Sequence, residues 1–420
     1  MLERLSSFLE ELDGRVKVTI AGTGIVNWGQ LLTSQYNQLF AAYLGASAFE
    51  LGLLNGVAGA ISSIASVPLG WVTEMYSVKR VMLAGYACTA LATVIFALAW
   101  DWWILIPAFV FGSRLVRIMP LADIIFISAA EPEQRASVMS LSRVVWGMLN
   151  VFAPVTAALI VARFGGINAR GIRPLYYLQL VMTMVVFLFM ARMLEPLPSG
   201  ARQSGEEVSS RWGGLLQDYR DFFRGEKWLK RWVALRAVRQ FGMNLALPLV
   251  PLWLVDVKGA TPQVLGLMGT AGVIMALLLQ VPAMRLSDRI GRKKVFFMLR
   301  PMAFLGTFLM ILAPSPEYLV LVGVLGAVAL GSASGGGIGG VSSTPFVTMF
   351  WEAVPREKRG RWFGIEGVMN ISTIPASVLG GFLWQQGYMM EVLLIPILLE
   401  LLVAMPILAT VPETLVRSDR

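Results

Sequence analysis

The chain has 420 residues, of which 56% are hydrophobic and only 15% are Asp, Glu, Lys or Arg, against roughly 25% charged in soluble domains; so little charge cannot cover a water-facing surface and points to a bilayer as solvent. The net charge of +9 does not indicate a nucleic-acid partner, because the basic residues sit in short runs between apolar stretches. With no histidine, and Cys88 as the single cysteine, an intramolecular disulfide is excluded, and neither a metal cluster nor the commonest general base is expected.

The first residues (MLERLSSFLEELDG) carry Glu3, Glu10, Glu11 and Asp13 in place of a basic n-region, so no cleavable signal is expected. They read equally as an interfacial amphipathic helix or an ordinary surface helix. Twelve apolar stretches near ~20 residues follow. Spans 1 to 6 read as Val18–Leu44, Leu51–Val72, Val81–Ala99, Trp103–Ala129, Val138–Val161 and Leu175–Met193. Spans 7 to 12 read as Trp232–Val255, Val264–Met284, Val295–Ala313, Leu319–Phe350, Trp362–Trp384 and Val392–Ala409. Span 10 exceeds an untilted crossing and is expected to project into an outer loop. Helices are the spanning form, since each backbone group must be paired inside its own segment. Runs such as VMTMVVFLFM lack the alternation of a barrel strand.

Span 1 is unusually polar. Asn27, Gln30, Ser34 and Asn37 share one helical face, widened outward by Gln35, Tyr36 and Gln38. Such a stripe either lines an aqueous path or makes interhelical hydrogen bonds. Span 4 holds Arg114 and Arg117 near its middle and Asp123 beyond them. The arginines read as an anion-binding or coupling site, or as a structural pair with Asp123 or another helix. Asp123 leads the candidates for a coupling acid, because burial raises a carboxyl pKa.

Residues 195–230 are the longest polar stretch. PLPSGARQSGEEVSS reads as a flexible linker. The part after it spaces Trp212, Leu215, Leu216, Tyr219, Phe222 and Phe223 among charges, suiting an amphipathic interfacial helix or a plain surface helix. In span 7, Arg236, Gln240 and Asn244 share a face. Arg236 and Arg239 are expected to snorkel to the interface. The glycine run GSASGGGIGG (331–340) in span 10 is not a phosphate loop, as no Gly-Lys-Ser/Thr follows; it suits close packing and bending. Glu400 lies near the middle of span 12 and reads as a packing or oligomer contact.

Lys and Arg concentrate in the connections on the side of the termini. The opposite connections carry only Arg163, Arg170, Arg173 and Lys258. Both termini are therefore expected in the cytoplasm. The two halves also match at an offset of 214 residues: Gly45-Ala46 with Gly259-Ala260, Leu51-Gly52-Leu53 with Leu265-Gly266-Leu267, Val67-Pro68 with Val281-Pro282, Glu74 with Asp288, and Lys79-Arg80 with Lys293-Lys294. One register held across a helix and its flanking loops implies a duplicated six-helix bundle.

The segment MRLSDRIGRKK (284–294) resembles the cytoplasmic loop signature of the major facilitator superfamily, and GWVTEMYSVKR (70–80) is a degraded copy with Glu74 for the acid and Ser77 for the glycine. PREKRG (355–360) and PEQRAS (132–137) resemble a second superfamily element. The resemblance implies that spans 1, 4, 7 and 10 line a central cavity. It also implies that Glu74, Lys79, Arg80, Asp288, Arg289, Gly291, Arg292 and Lys293 latch the cytoplasmic side, and Glu366, soon after Arg361, reads as a gate partner for these basic loops. Two subfamily signatures are missing: span 5 has Pro154 without the antiporter glycines, and LEPLPSG after span 6 is not the sugar-porter motif.

The expected fold is an all-α membrane protein of twelve transmembrane helices in two parallel-repeat bundles, 1–194 and 231–420, joined by the linker 195–230. The expected function is secondary transport of a small solute by alternating access, without enzymatic activity or a cofactor. Asn27, Gln30, Ser34, Asn37, Arg114, Arg117, Gln240 and Asn244 would contact substrate. Three functional readings stay open: a proton-coupled organic-anion transporter, an exporter of amphipathic drugs, and a receptor or scaffold without flux. The partners expected are the substrate, the cell-membrane bilayer and a coupling proton, for a monomeric protein.

Overall fold

The computed structural model describes residues 12–112, 118–129, 131, 134–195, 227–330, 336–353, 373–411 and 413; side chains within helices are described except at 65–75, 118–120, 136, 227–229, 329 and 351. The described elements are helical, as the bilayer argument requires. In the first half the helices are Gly14–Ser34 with Asn37–Tyr43 (span 1), Ala48–Met75 (span 2), Val78–Leu98 (span 3), Leu105–Phe111 with Ile118–Ala129 (span 4), Arg135–Arg163 (span 5) and Ala169–Met193 (span 6). In the second half they are Lys227–Ala246 (span 7), Pro262–Ile290 (span 8), Arg292–Leu312 (span 9), Leu319–Leu325 with Gly337–Val341 and Ser343–Ala353 (span 10), Thr373–Gln385 (span 11), and Met389–Leu399 with Met405–Thr410 (span 12). The linker helix and the amino-terminal segment before Leu12 lie outside the described residues.

The duplication read in the sequence extends to the breaks in the helices. Val78–Leu98 and Arg292–Leu312 correspond residue for residue at the 214 offset. So do the short helices Leu105–Phe111 and Leu319–Leu325, each preceded by a 3-10 turn and each stopped at a glycine, Gly112 and Gly326. Both glycine amides donate at 2.8 Å to the carbonyl four residues earlier. Gly326 has φ +79°, a conformation that a Cβ would strain. Span 10 is thus a broken helix, which corrects the expectation of one long span projecting outward. Span 1 breaks at Gln35 and Tyr36, and span 7 after Ala246. Helix breaks at membrane depth are tolerated where the freed backbone faces protein or a cavity.

The two halves pack on each other on the side away from the termini. There Gly52 of span 2 lies so close to the Ser377 carbonyl of span 11 that a Cβ could not fit, and Gly381 stands likewise against the Ala48 carbonyl. The equivalent of Gly52 at the 214 offset, Gly266 of span 8, packs on Pro154 and Ala158 of span 5. Beside it, Thr270 Oγ1 donates to the Val151 carbonyl at 3.0 Å. On this side one apolar core runs through both halves, from Leu39 and Phe40 to Leu249 and Trp253. Toward the termini the cores separate. Val81, Tyr86 and Met190 pack within the first half, whereas Trp232, Phe296 and Phe350 pack within the second. Among the described residues no apolar core bridges the halves toward the termini, which leaves a cleft between them on that side.

Gly52→Val should therefore push spans 2 and 11 apart. In a Cys88→Ser background, Ala48→Cys should react with a water-soluble maleimide several-fold faster when Gly52→Val is added. An unchanged rate would mean that this glycine contact does not close the far side.

Candidate functional site

Half of the polar stripe of span 1 is tied to neighbouring helices. Asn27 Nδ2 donates to Asn150 Oδ1 of span 5 at 3.2 Å. Asn37 Oδ1 accepts from the Tyr176 hydroxyl of span 6 at 3.0 Å. Ser34 Oγ donates to the Leu31 carbonyl of its own helix. Gln30 and, in the other half, Gln240 of span 7 are half-buried and keep their side-chain amides uncommitted among the described residues. Asn244 is buried; it donates to the Gln240 carbonyl at 2.7 Å and to Thr373 Oγ1 of span 11 at 3.3 Å, an interhelical tie. Arg114 and Arg117 lie outside the described residues.

Asp123 pairs with Arg143 of span 5 at 3.2 Å, and Arg143 keeps 57% of its side chain exposed. Arg143, Gly147, Asn150 and Pro154 fall on one face of span 5 by helical spacing. Gly147 packs on Leu277 of span 8, and Pro154 on Gly269. That face is therefore turned to the other half, and Arg143 borders the cleft.

The second half holds a denser charge cluster. Glu400 accepts from Arg300 Nε at 2.7 Å and from Arg300 Nη2, and Arg239 Nε stands 3.1 Å from Glu400 Oε1. Side-chain exposures are 3% for Glu400, 9% for Arg300 and 16% for Arg239. Glu400 opens a π-helical turn, Glu400–Ala404, the kind of irregularity that often marks functional positions. Arg300 is eight residues into span 9, roughly 12 Å along its axis and so within a ~30 Å hydrocarbon layer. This overturns one expectation and narrows another. Arg239 does not snorkel to an interface but completes a buried ion cluster and stacks 4.1 Å from the Phe346 ring centroid. Of the packing and oligomer readings of Glu400, its pairing with Arg239 and Arg300 agrees with packing inside the chain.

The loop signature makes a defined set of contacts. Gly291 takes φ +106° at the turn. The start of span 9 is capped by Glu413, not by Asp288: Glu413 Oε1 accepts from the Arg292 amide at 3.2 Å and Oε2 from the Lys293 amide at 3.1 Å. A carboxylate there meets unpaired amides and the positive end of the helix dipole. Arg292 pairs with Asp288 at 3.4 Å and with Glu352 at 2.8 Å, both in its own half. Lys293 Nζ donates to the Ala409 and Val411 carbonyls, and Lys79 Nζ to the Ala191 carbonyl at 2.8 Å. Arg80 and Arg289 are exposed. Glu366 and the side chain of Glu74 lie outside the described residues.

Sequence reasoning passed over Arg143, Asn150, Arg300 and Glu413. A stricter search for charges inside apolar spans would have found Arg143 and Arg300.

The model of the Major Facilitator Superfamily matches residues 20–241 and 232–419, two tandem matches that together cover nearly the whole chain. The chain belongs to the major facilitator superfamily. It is a multi-pass membrane transporter of twelve helices in two bundles and not an enzyme. No curated protein sequence matches it significantly. Among solved structures it is similar to a mutant of the nucleoside transporter NupG (TM-score 0.69, 14% identity, 94% of this chain and 99% of that one). It is similar also to a D-xylose-proton symporter (0.68, 14%, 96% and 98%), and to a bacterial homologue of the iron transporter ferroportin in an inward-facing state (0.67, 15%, 94% and 98%).

Glu413→Gln should remove the charge that caps span 9, at about 0.5–1 kcal/mol. Thermal unfolding in detergent should show a small downward shift that shrinks at high salt. A shift that ignores salt would argue against a charge–dipole contact.

Proposed function

We propose that this superfamily member is a proton-coupled secondary transporter of small organic anions, working by alternating access. The observation that carries the reading is a cationic surplus at membrane depth. Arg239 and Arg300 share the single carboxylate of Glu400, and Arg143, paired with Asp123, stays more than half exposed. Charges in such a place are expensive and are kept for a purpose. Guanidinium matches carboxylate and phosphate in shape and charge.

In this reading the halves rock about the far-side contact, and the closed far side corresponds to an inward-facing state with both termini in the cytoplasm of a cell-membrane protein. Gln30 and Gln240 would meet the solute's polar groups from opposite halves; Asn27, Ser34, Asn37 and Asn244 would hold those helices in register. Arg114 and Arg117 would add to the positive lining of span 4. Asp123, leaning on the exposed Arg143, would take up the coupling proton when a substrate anion competes for that arginine. The loops holding Glu74, Lys79, Arg80, Asp288, Arg289, Gly291, Arg292 and Lys293, together with Glu366, would latch the cytoplasmic side when it closes. The segment 195–230 would connect the halves, and the working unit would be a monomer.

Proteoliposomes test this directly. Uptake of a radiolabelled organic anion should be saturable, should rise with an imposed proton gradient, and should fall at least about tenfold in Arg143→Gln or Arg114→Gln, the loss of one charge-assisted contact. Efflux of a hydrophobic cation that survives both substitutions, without anion uptake in the parent, would favour drug export. Absence of any flux would favour a receptor or scaffold.

A further inference from the structure

The Arg239–Glu400–Arg300 cluster has two cations on one carboxylate, and its two arms are unequal. Arg300 grips Glu400 through both Nε and Nη2, whereas the contact shown for Arg239 is through Nε at 3.1 Å. Bidentate pairing is the stronger arrangement. Arg239 is also the most exposed of the three, and it lies in span 7, one of the spans that the superfamily resemblance sets around the central cavity. Its guanidinium lies 4.1 Å from the Phe346 ring centroid and 5.2 Å from that of Phe296. Those rings can hold the planar cation even without the carboxylate.

The internal repeat shows that the bundle does not need these ions to pack. At the 214 offset, Arg300 corresponds to Tyr86 of span 3, which is buried like it. There spans 1 and 3 are joined by a neutral contact, Thr23 Oγ1 to the Tyr86 hydroxyl at 3.3 Å. One half thus does with a hydroxyl pair what the other does with three charges. A buried ion cluster is weak evidence for stability in any case.

We infer that Arg239 is an anion-binding group that passes between Glu400 and a carboxylate or phosphate group of a solute entering from the cleft. The inference rests on the anion reading above and names the side chain that would recognise the anion. Binding of the solute anion closes its charge balance. Without solute, Glu400 is shared by two arginines. With it, Arg300 and Glu400 remain as a neutral bidentate pair, and Arg239 is neutralised by the solute. Neither state leaves a lone buried carboxylate, the costly condition. Arg236, stacked 4.6 Å from the Phe350 ring centroid one turn earlier, adds positive potential along the approach.

The test uses the full chain in phosphatidylcholine nanodiscs, with thermal unfolding followed during titration with sodium lactate, succinate or inorganic phosphate. The parent should be stabilised saturably by at least one of these. Arg239→Gln should weaken that apparent affinity at least about tenfold while leaving the unliganded midpoint nearly unchanged, because Arg300 and Glu400 stay paired. Arg300→Gln should lower the midpoint clearly. Glu400→Gln should tighten anion binding about threefold, as a competing carboxylate is removed; it carries the test alone if Arg239→Gln does not fold. If Arg239→Gln binds the anion like the parent, or Glu400→Gln leaves the affinity unchanged, the role of Arg239 is overturned while the anion reading stands. If the parent responds to none of the anions, both fall together. If Arg239-dependent stabilisation appears only with added phosphatidylglycerol, the ligand is a lipid headgroup and the solute role is overturned.

Discussion

Everything in this fold turns on the direct approach of helix backbones where the two halves meet. Lipid tails are as apolar as leucine, so helices in a bilayer gain little from hiding hydrophobic side chains. They associate closely where side chains are small enough for backbones to touch. Gly52 against the Ser377 carbonyl and Gly266 against Pro154 are such places, related to each other by the internal repeat. Since these contacts lie away from the termini, the shared core forms there, and each half keeps its own core toward the termini. The cleft is the geometric consequence.

The duplication makes the two halves useful controls for one another. Backbone features repeat with high fidelity: the 3-10 turn, the short helix and the glycine stop of span 4 recur in span 10. Side-chain chemistry does not repeat. The first half places one ion pair at the cleft, Asp123 with Arg143, on side chains that remain partly exposed. The second half buries its charges behind span 7. The same backbone plan thus accommodates a hydroxyl contact between spans 1 and 3 and an ion cluster at the corresponding place in the second half.

The loop signature shows how one chemical role can move between residues. A carboxylate is needed where the amides of Arg292 and Lys293 point out of the helix unpaired. Glu413, more than a hundred residues away in sequence, supplies it, which leaves Asp288 to pair with Arg292. The carboxyl-terminal end of span 12 is thereby fastened to the start of span 9, again by Lys293 donating to carbonyls of that end.

Lipid as solvent, twelve crossings, the duplication and the superfamily loop were all legible in the sequence, because apolar length, charge placement and a fixed offset are local properties of the chain. Part of the site was legible too, since a charge or amide inside an apolar span stands out wherever it points. What the sequence left open was partnership. Whether Asn244 faces a cleft or Thr373, whether Arg239 reaches an interface or Glu400, and where span 10 breaks depend on which helix lies beside which. Side chains near each other in space but a hundred or more residues apart along the chain carry no shared signal in one sequence, and only the packed bundle decides which of them meet.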